Sequence, residues 1–269
     1  MSAFEPLSNR IAERTDRTWR RAAMAALALW AAGSVLAGQP AATPQRPSLS
    51  TSAWTVPRGL FELEAGASFS EGAGALPLFA KYGLRDSLEL EAGIDALRWV
   101  EGAGDGQTSV GDLLLGARWR PNREAAPVAL ALAGLVKLPT AADDAGSGEL
   151  DATLVGIASI PFDNGLGLDL NLVWSAVGRD GGGALGQGQA IATLGVPLRG
   201  NWSSFVEAAY QRTAGQADGG FVDAGLAFAV TPRAVLDVGA GVGWSEGYPD
   251  WSATVGWTVL FASPRDGSN

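Results

Sequence analysis

The sequence predicts an all-β protein, a transmembrane antiparallel β-barrel of about 12 strands preceded by a cleaved signal peptide. Three observations predict it. From Arg58 onward, short segments alternate apolar and polar side chains, the period-2 pattern of strands with one face in lipid and the other toward a polar lumen. Clusters of Gly, Pro, Asp and Asn separate the segments. The last alternating segment ends on an aromatic residue, Phe261.

The N-terminus reads as export machinery rather than fold. Arg10, Arg14, Arg17, Arg20 and Arg21 form a basic lead, an apolar stretch follows from Ala22 to Leu36, and Val35-Leu36-Ala37 closes it. That is the order of a secretory signal: charged, apolar, then small residues at the cleavage site. Residues 1–37 are therefore expected to be a signal peptide. Residues 38–56, rich in Pro, Ser and Thr, are expected to be a flexible periplasmic lead-in, residues 57–261 the barrel, and residues 262–269 a C-terminal tail.

The strands are expected over about 58–69, 75–83, 87–99, 108–119, 127–138, 148–160, 165–177, 187–197, 202–212, 220–230, 233–244 and 250–261. The seventh shows the rule best. Leu166, Leu168, Leu170, Leu172, Trp174 and Ala176 share one face, and Gly167, Asp169, Asn171 and Ser175 share the other. A helix would scatter those leucines around its circumference. In the third, Leu88, Leu90, Ala92, Ile94 and Ala96 oppose Glu89, Glu91, Gly93 and Asp95. In the last, Trp251, Ala253, Val255, Trp257, Val259 and Phe261 share a face. Trp99, Trp119, Trp174, Trp202, Tyr210, Trp244, Trp251 and Phe261 fall near segment ends, where interface girdles form, and Trp54 is expected near the periplasmic interface. Short turns at 84–86, 162–164, 198–200 and 231–232 alternate with longer glycine-rich loops. Outer-membrane barrels have that asymmetry, with the short turns in the periplasm. The competing fold is a soluble β-sandwich; the export signal and girdle aromatics favour the barrel.

Composition narrows the chemistry. A net charge of −9 argues against nucleic acid as a partner. Cysteine and histidine are both absent, which removes thiolate and histidine metal sites and the Ser-His-Asp hydrolases. No cofactor, metal or enzymatic activity is expected. The expected partners are outer-membrane lipid, the barrel-assembly machinery and a small-molecule solute.

The period-2 rule also yields an expected lumen: Glu62, Glu64, Lys81, Glu89, Glu91, Asp95, Asp112, Arg118, Lys137, Asp151, Asp169, Asn171, Glu207, Asp223 and Asp237. Acids outnumber bases. Two readings stand side by side. Interior ion pairs rigidify the wall, with Lys81 pairing to acids on the strands beside it. Alternatively, uncompensated acids favour cations, as charged rings do in pores.

Several short runs carry a family resemblance. Trp54-Thr55-Val56-Pro57-Arg58-Gly59 with Glu62 and Glu64-Ala65-Gly66, then Gly83-Leu84-Arg85-Asp86-Ser87-Leu88-Glu89-Leu90, then Gly111-Asp112-Leu113 and Leu135-Val136-Lys137-Leu138-Pro139-Thr140 resemble, in this order, a bacterial family of outer-membrane transporters named after the meta pathway of phenol degradation. Ala141 stands where that family usually has Gly. The resemblance spans residues 54–261 and implies a bacterial outer-membrane channel or transporter for small molecules, among them aromatic or other apolar compounds. The alternative is a structural or plugged barrel without transport.

Overall fold

The structure is a computed structural model that describes residues 41–101, 107–122, 126–141, 148–179, 182–245 and 248–261. The expected signal peptide, 1–37, and the expected tail, 262–269, lie outside these residues.

The strands are β1 (Phe61–Ser70), β2 (Ala73–Arg85), β3 (Leu88–Val100), β4 (Gln107–Ser109), β5 (Leu113–Trp119), β6 (Ala129–Leu138), β7 (Asp151–Pro161), β8 (Gly167–Gly178), β9 (Ala184–Pro197), β10 (Trp202–Thr213), β11 (Gly219–Thr231), β12 (Ala234–Trp244) and β13 (Trp251–Phe261). All pairings are antiparallel, and β13 returns to β1 in unbroken register from Phe61↔Phe261 to Ser70↔Ser252. That closure matters because a lipid-embedded sheet edge would leave amides and carbonyls without partners. β4 and β5 both pair with β3 in one register, Arg98↔Ser109 and Leu88↔Trp119. They are two pieces of one stave, so the 13 strands make a closed barrel of 12 staves.

The alternation sorts side chains as the sequence implies. On β8, Leu172 is 70% and Trp174 56% exposed, while Asn171 and Ser175, which flank them on the opposite face, are buried. A belt of exposed Leu, Val and Trp runs over nearly every stave, and an apolar surface that large on a closed barrel faces lipid. Trp119, Trp202, Tyr210, Trp244 and Trp251 stand on the belt's margins. Pro77 sits inside β2 where the register with β3 shifts, between Ala75 and Pro77. A bulge is where a strand tolerates a residue with no amide hydrogen.

Short connections at 86–87, 162–166, 198–201 and 232–233 share one end of the barrel with the start of β1 and the end of β13. This is the periplasmic end by the rule for such barrels. One connection at the opposite end is also short: residues 71–72 join β1 to β2, with Gly72 at φ 66° making the turn.

Candidate functional site

Period-2 alternation carries the side chains of one face into the barrel, and the expected lumen residues divide along its axis. At the periplasmic end, Glu62 and Glu64 of β1 lie beside Lys81 of β2, with Glu62 directly opposite it in the register. The Lys81 ammonium is 2.5 Å from the Glu62 carboxylate and 2.7 Å from that of Glu64, and all three side chains are almost fully buried. The second cluster joins β3 to β5. The Arg118 guanidinium is 2.7 Å from Glu91 and 3.6 Å from Glu89, again buried. Lys81 thus pairs with the acids of β1, while those of β3 go to Arg118.

The surplus carboxylates have partners of another kind. Residues 41–57 run inside the barrel, and the inner wall accepts hydrogen bonds from their backbone. The Thr43 amide donates to Glu62 (2.7 Å), and the Gln45 and Arg46 amides donate to Glu64 (3.0 Å each). Leu49 and Ser50 donate to the two oxygens of Glu207 at 2.8 and 2.9 Å. Thr51 donates to Asn171 (2.8 Å), Ala53 to the Ser159 hydroxyl (2.8 Å) and Val56 to Glu89 (2.6 Å). Wall donors answer the segment's carbonyls: Lys81 reaches Thr43, Arg118 reaches Ser52, and the Asn171 amide reaches Thr51. These wall residues come from β1, β2, β3, β5, β7, β8 and β10. A segment that meets staves on all sides through their buried faces can only lie across the lumen.

Arg46 fastens the segment on the far side. Its guanidinium donates to the Thr254 hydroxyl and to the Val255 carbonyl, and lies 3.5 Å from Asp237. It rests on the seam between β1 and β13, where Gly66 and Gly256 face each other in the register. A Cβ at either glycine would stand 2.5 Å from a guanidinium nitrogen, so the bare backbone there is what allows the close approach. Composition predicts a flexible lead-in over residues 38–56; its described part is held to the wall by these bonds. The difference has a physical reason: main-chain amides leave no mark in a sequence. Trp54, expected at the interface, instead packs against the buried cluster of Ala53, Ala129, Ala131, Ala133, Val155 and Ile157, with the Arg120 guanidinium 5.3 Å from its ring centre.

The outer half has a different chemistry. Lys137 lies 2.7 Å from Asp151 and 3.6 Å from Asp112, partly exposed. Asp112 accepts the amides of Thr140 and Ala141 at 2.9 Å, and Asp151 that of Gly178 at 2.9 Å, so both acids pin loop bases. Asp95 pairs with Arg98 at 3.6 Å. Two acids remain: Asp169, near the periplasmic start of β8, accepts a hydrogen bond from Ser159, and Asp223 stands opposite Glu207 in the register.

The expected lumen set holds charged groups and Asn171 but not the other neutral side chains on the same inward faces. Gln189 donates to Gln211 (2.6 Å) and to the Tyr248 hydroxyl (3.2 Å), and Gln187 donates to Thr213 (3.0 Å). Tyr248, from the β12–β13 connection, stacks on Phe221 with centroids 5.3 Å apart and planes 22° off parallel, beside Ile191, Ala209 and Val173. Burial, reinforced by the Glu207 charge, raises the pKa of the Tyr248 phenol, so it stays neutral. The period-2 rule already places Gln189, Gln211 and Phe221 inward, on the faces that carry Thr193, Glu207 and Asp223. Among the described residues, no cluster of three or more His, Cys, Asp or Glu is arranged to hold a metal ion.

Comparison with known proteins places this geometry. The profile of the family described as "Putative MetA-pathway of phenol degradation" matches residues 54–261. No curated protein matches the chain. Among solved structures, it is similar to the COG4313 outer membrane channel from Pseudomonas putida F1, with a TM-score of 0.60 at 17% identity, over 80% of this chain and 100% of that one. It is also similar to the KdgM porin in complex with disordered oligogalacturonate, TM-score 0.57 at 9% identity, over 75% and 99% of the two chains. For the NanC porin the TM-score is 0.52 at 7% identity, over 74% and 98%. At these identities the likeness is one of fold.

Proposed function

The chain belongs to the family of the MetA pathway of phenol degradation, its barrel sits in the bacterial outer membrane, and we propose that it is a channel admitting small molecules of apolar or aromatic character. One observation carries the solute class. In the outer half of the lumen the partly exposed Tyr248 ring stacks on the buried Phe221, Ile191 and Ala209, with the partly exposed amide of Gln189 next to it. Such a wall suits a neutral ring carrying one or two hydrogen-bonding groups. The charged lumen residues expected from the sequence act mainly on the other half, where they hold residues 41–57 across the path. The acids in excess of bases favour cations over anions, which reversal potentials under a salt gradient test. In this reading β13, ending at Phe261, is what the barrel-assembly machinery recognises, and the protein works by passage rather than by catalysis.

The bonds that hold the inner segment favour a second reading, a closed structural barrel. Current through single barrels in a planar bilayer separates the two. Under the channel reading the intact protein carries small ionic currents, benzyl alcohol added on the outer-loop side interrupts them, and Phe221→Ala removes the interruption. Deleting residues 42–53 raises conductance severalfold. An intact barrel that passes no current, beside a deletion variant that does, is the result that overturns the channel reading.

A further inference from the structure

A second site lies outside the lumen, at the periplasmic rim. A cavity of about 660 Å³ opens between Arg58, Leu84, Arg85, Asp86, Ser87, Arg120 and Asn122. Its floor is built rather than loose. The Thr55 hydroxyl donates to the Asp86 carbonyl at 2.7 Å, the Arg58 amide to the Asp86 carboxylate at 3.2 Å, and the Arg120 amide to the Ser87 carbonyl at 2.9 Å. The inner segment, the β2–β3 turn and the end of β5 are thereby tied into one surface. Asn122 anchors the fourth side, donating to the Val128 carbonyl and accepting from the Leu130 amide.

Three arginines and one aspartate line it, on a chain of net charge −9. Arg120 is buried at the cavity's inner side, whereas Arg58 and Arg85 are exposed. Neither exposed arginine has a carboxylate within 4.0 Å among the described residues. A guanidinium presents a planar fork of donors that fits a phosphate oxygen pair. The cavity also has a fixed height in the membrane. Tyr82, Leu84 and Trp119, exposed on the lipid face at this same end, mark the boundary between hydrocarbon and headgroups. Leu84 borders both the cavity and the lipid.

We propose that this rim cavity binds a phosphate ester group, with the headgroup of an inner-leaflet phospholipid as the source its position favours. Arg58 and Arg85 grip the phosphate from the open side, and Arg120 supports it from below. The free oxygen of Asp86 meets the ammonium of an ethanolamine headgroup, and Leu84 leads the acyl chains onto the apolar belt.

Native mass spectrometry of the purified full barrel in detergent tests it, with added phosphatidylethanolamine, phosphatidylglycerol or diacylglycerol. Titration calorimetry with inorganic phosphate forms the fourth arm. One phospholipid per barrel should be retained, with Arg58→Ala/Arg85→Ala weakening retention at least tenfold, which is about 1.4 kcal/mol. Both residues are exposed, and unchanged heat-modifiable gel mobility of the double variant confirms its fold. Arg58→Lys/Arg85→Lys, which keeps charge but loses the fork, should fall between. Saturable binding of inorganic phosphate without lipid retention also supports the site and assigns it to soluble esters. Equal retention by the barrel and its double variant, or retention of diacylglycerol, overturns the proposal.

Discussion

The two halves of the lumen are built from the same strands and the same alternation, yet they solve opposite problems. In the periplasmic half, Glu62, Glu64, Lys81, Glu89, Glu91, Arg118 and Glu207 are buried and engaged with one another or with residues 41–57. In the outer half, Lys137, Asp112 and Asp151 keep partial contact with solvent, and the other inward groups are largely neutral amides, hydroxyls and rings. One half holds a piece of its own chain; the other packs Phe221 beneath Tyr248 and leaves Tyr248, Gln189 and Lys137 partly exposed. Charge in a β-barrel interior is therefore not by itself a sign of ion traffic. It can be the means of reading a peptide backbone.

The sharpest way to break this comparison is to remove the same group from both halves. Lys81 and Lys137 each sit between two carboxylates, but Lys81 is 1% exposed and Lys137 24%. Lys81→Met strands Glu62 and Glu64 without a cation in a buried site, which should cost about 3–5 kcal/mol. Lys137→Met leaves two acids that water and loop amides still serve, and should cost roughly 1 kcal/mol or less. Urea unfolding in detergent micelles, read from midpoints at constant slope, measures both. Equal losses at the two positions would mean that the halves do not differ as described.

Glu207 sharpens the same contrast one step lower in energy. It has no cation within ion-pair distance among the described residues; its oxygens accept the Leu49 and Ser50 amides and a hydrogen bond from the Thr193 hydroxyl. Glu207→Gln keeps shape and one acceptor but turns a donor toward a donor, so about 1.5–3 kcal/mol should be lost. Because those amides belong to the inner segment, the variant should also show noisier single-channel current. A quiet trace with unchanged stability would sink the idea that this carboxylate holds the segment.

Much of the frame was legible before any coordinates. Every expected strand lies within a few residues of an observed one; the gap between Ser109 and Leu113, which splits one stave into β4 and β5, is the main irregularity. Period 2 is robust because a one-residue slip would put glutamates in lipid. The inner segment was not legible in itself. Its hold on the wall runs through the amides of residues 43, 45, 46, 49, 50, 51, 53 and 56, which every residue but proline carries. A trace of it lay in the wall instead: Glu62, Glu64, Glu89, Glu91 and Glu207 crowd one end of the barrel, and among the described residues only Lys81 and Arg118 are buried cations on the strands beside them. Buried acceptors in excess of donors require donors from elsewhere, and the segment just before β1 is near enough to supply them.

The smallest expected effect on stability tests the outer half. Tyr248→Phe removes the hydroxyl that accepts from Gln189 at 3.2 Å while keeping the ring on Phe221. Gln189 retains its bond to Gln211, so no buried donor loses its only partner. The cost should stay near 0.5–1 kcal/mol, within the range of one neutral hydrogen bond. What should change is the solute. With the hydroxyl gone, the wall beside the stacked rings has one polar group fewer, so interruption of current by benzyl alcohol should shorten while that by toluene should not. A loss of stability as large as that of Glu207→Gln would show that the outer half, too, is built to hold the chain. A small loss with altered dwell times for the alcohol alone would place solute contact at Tyr248 and leave the division between the halves standing.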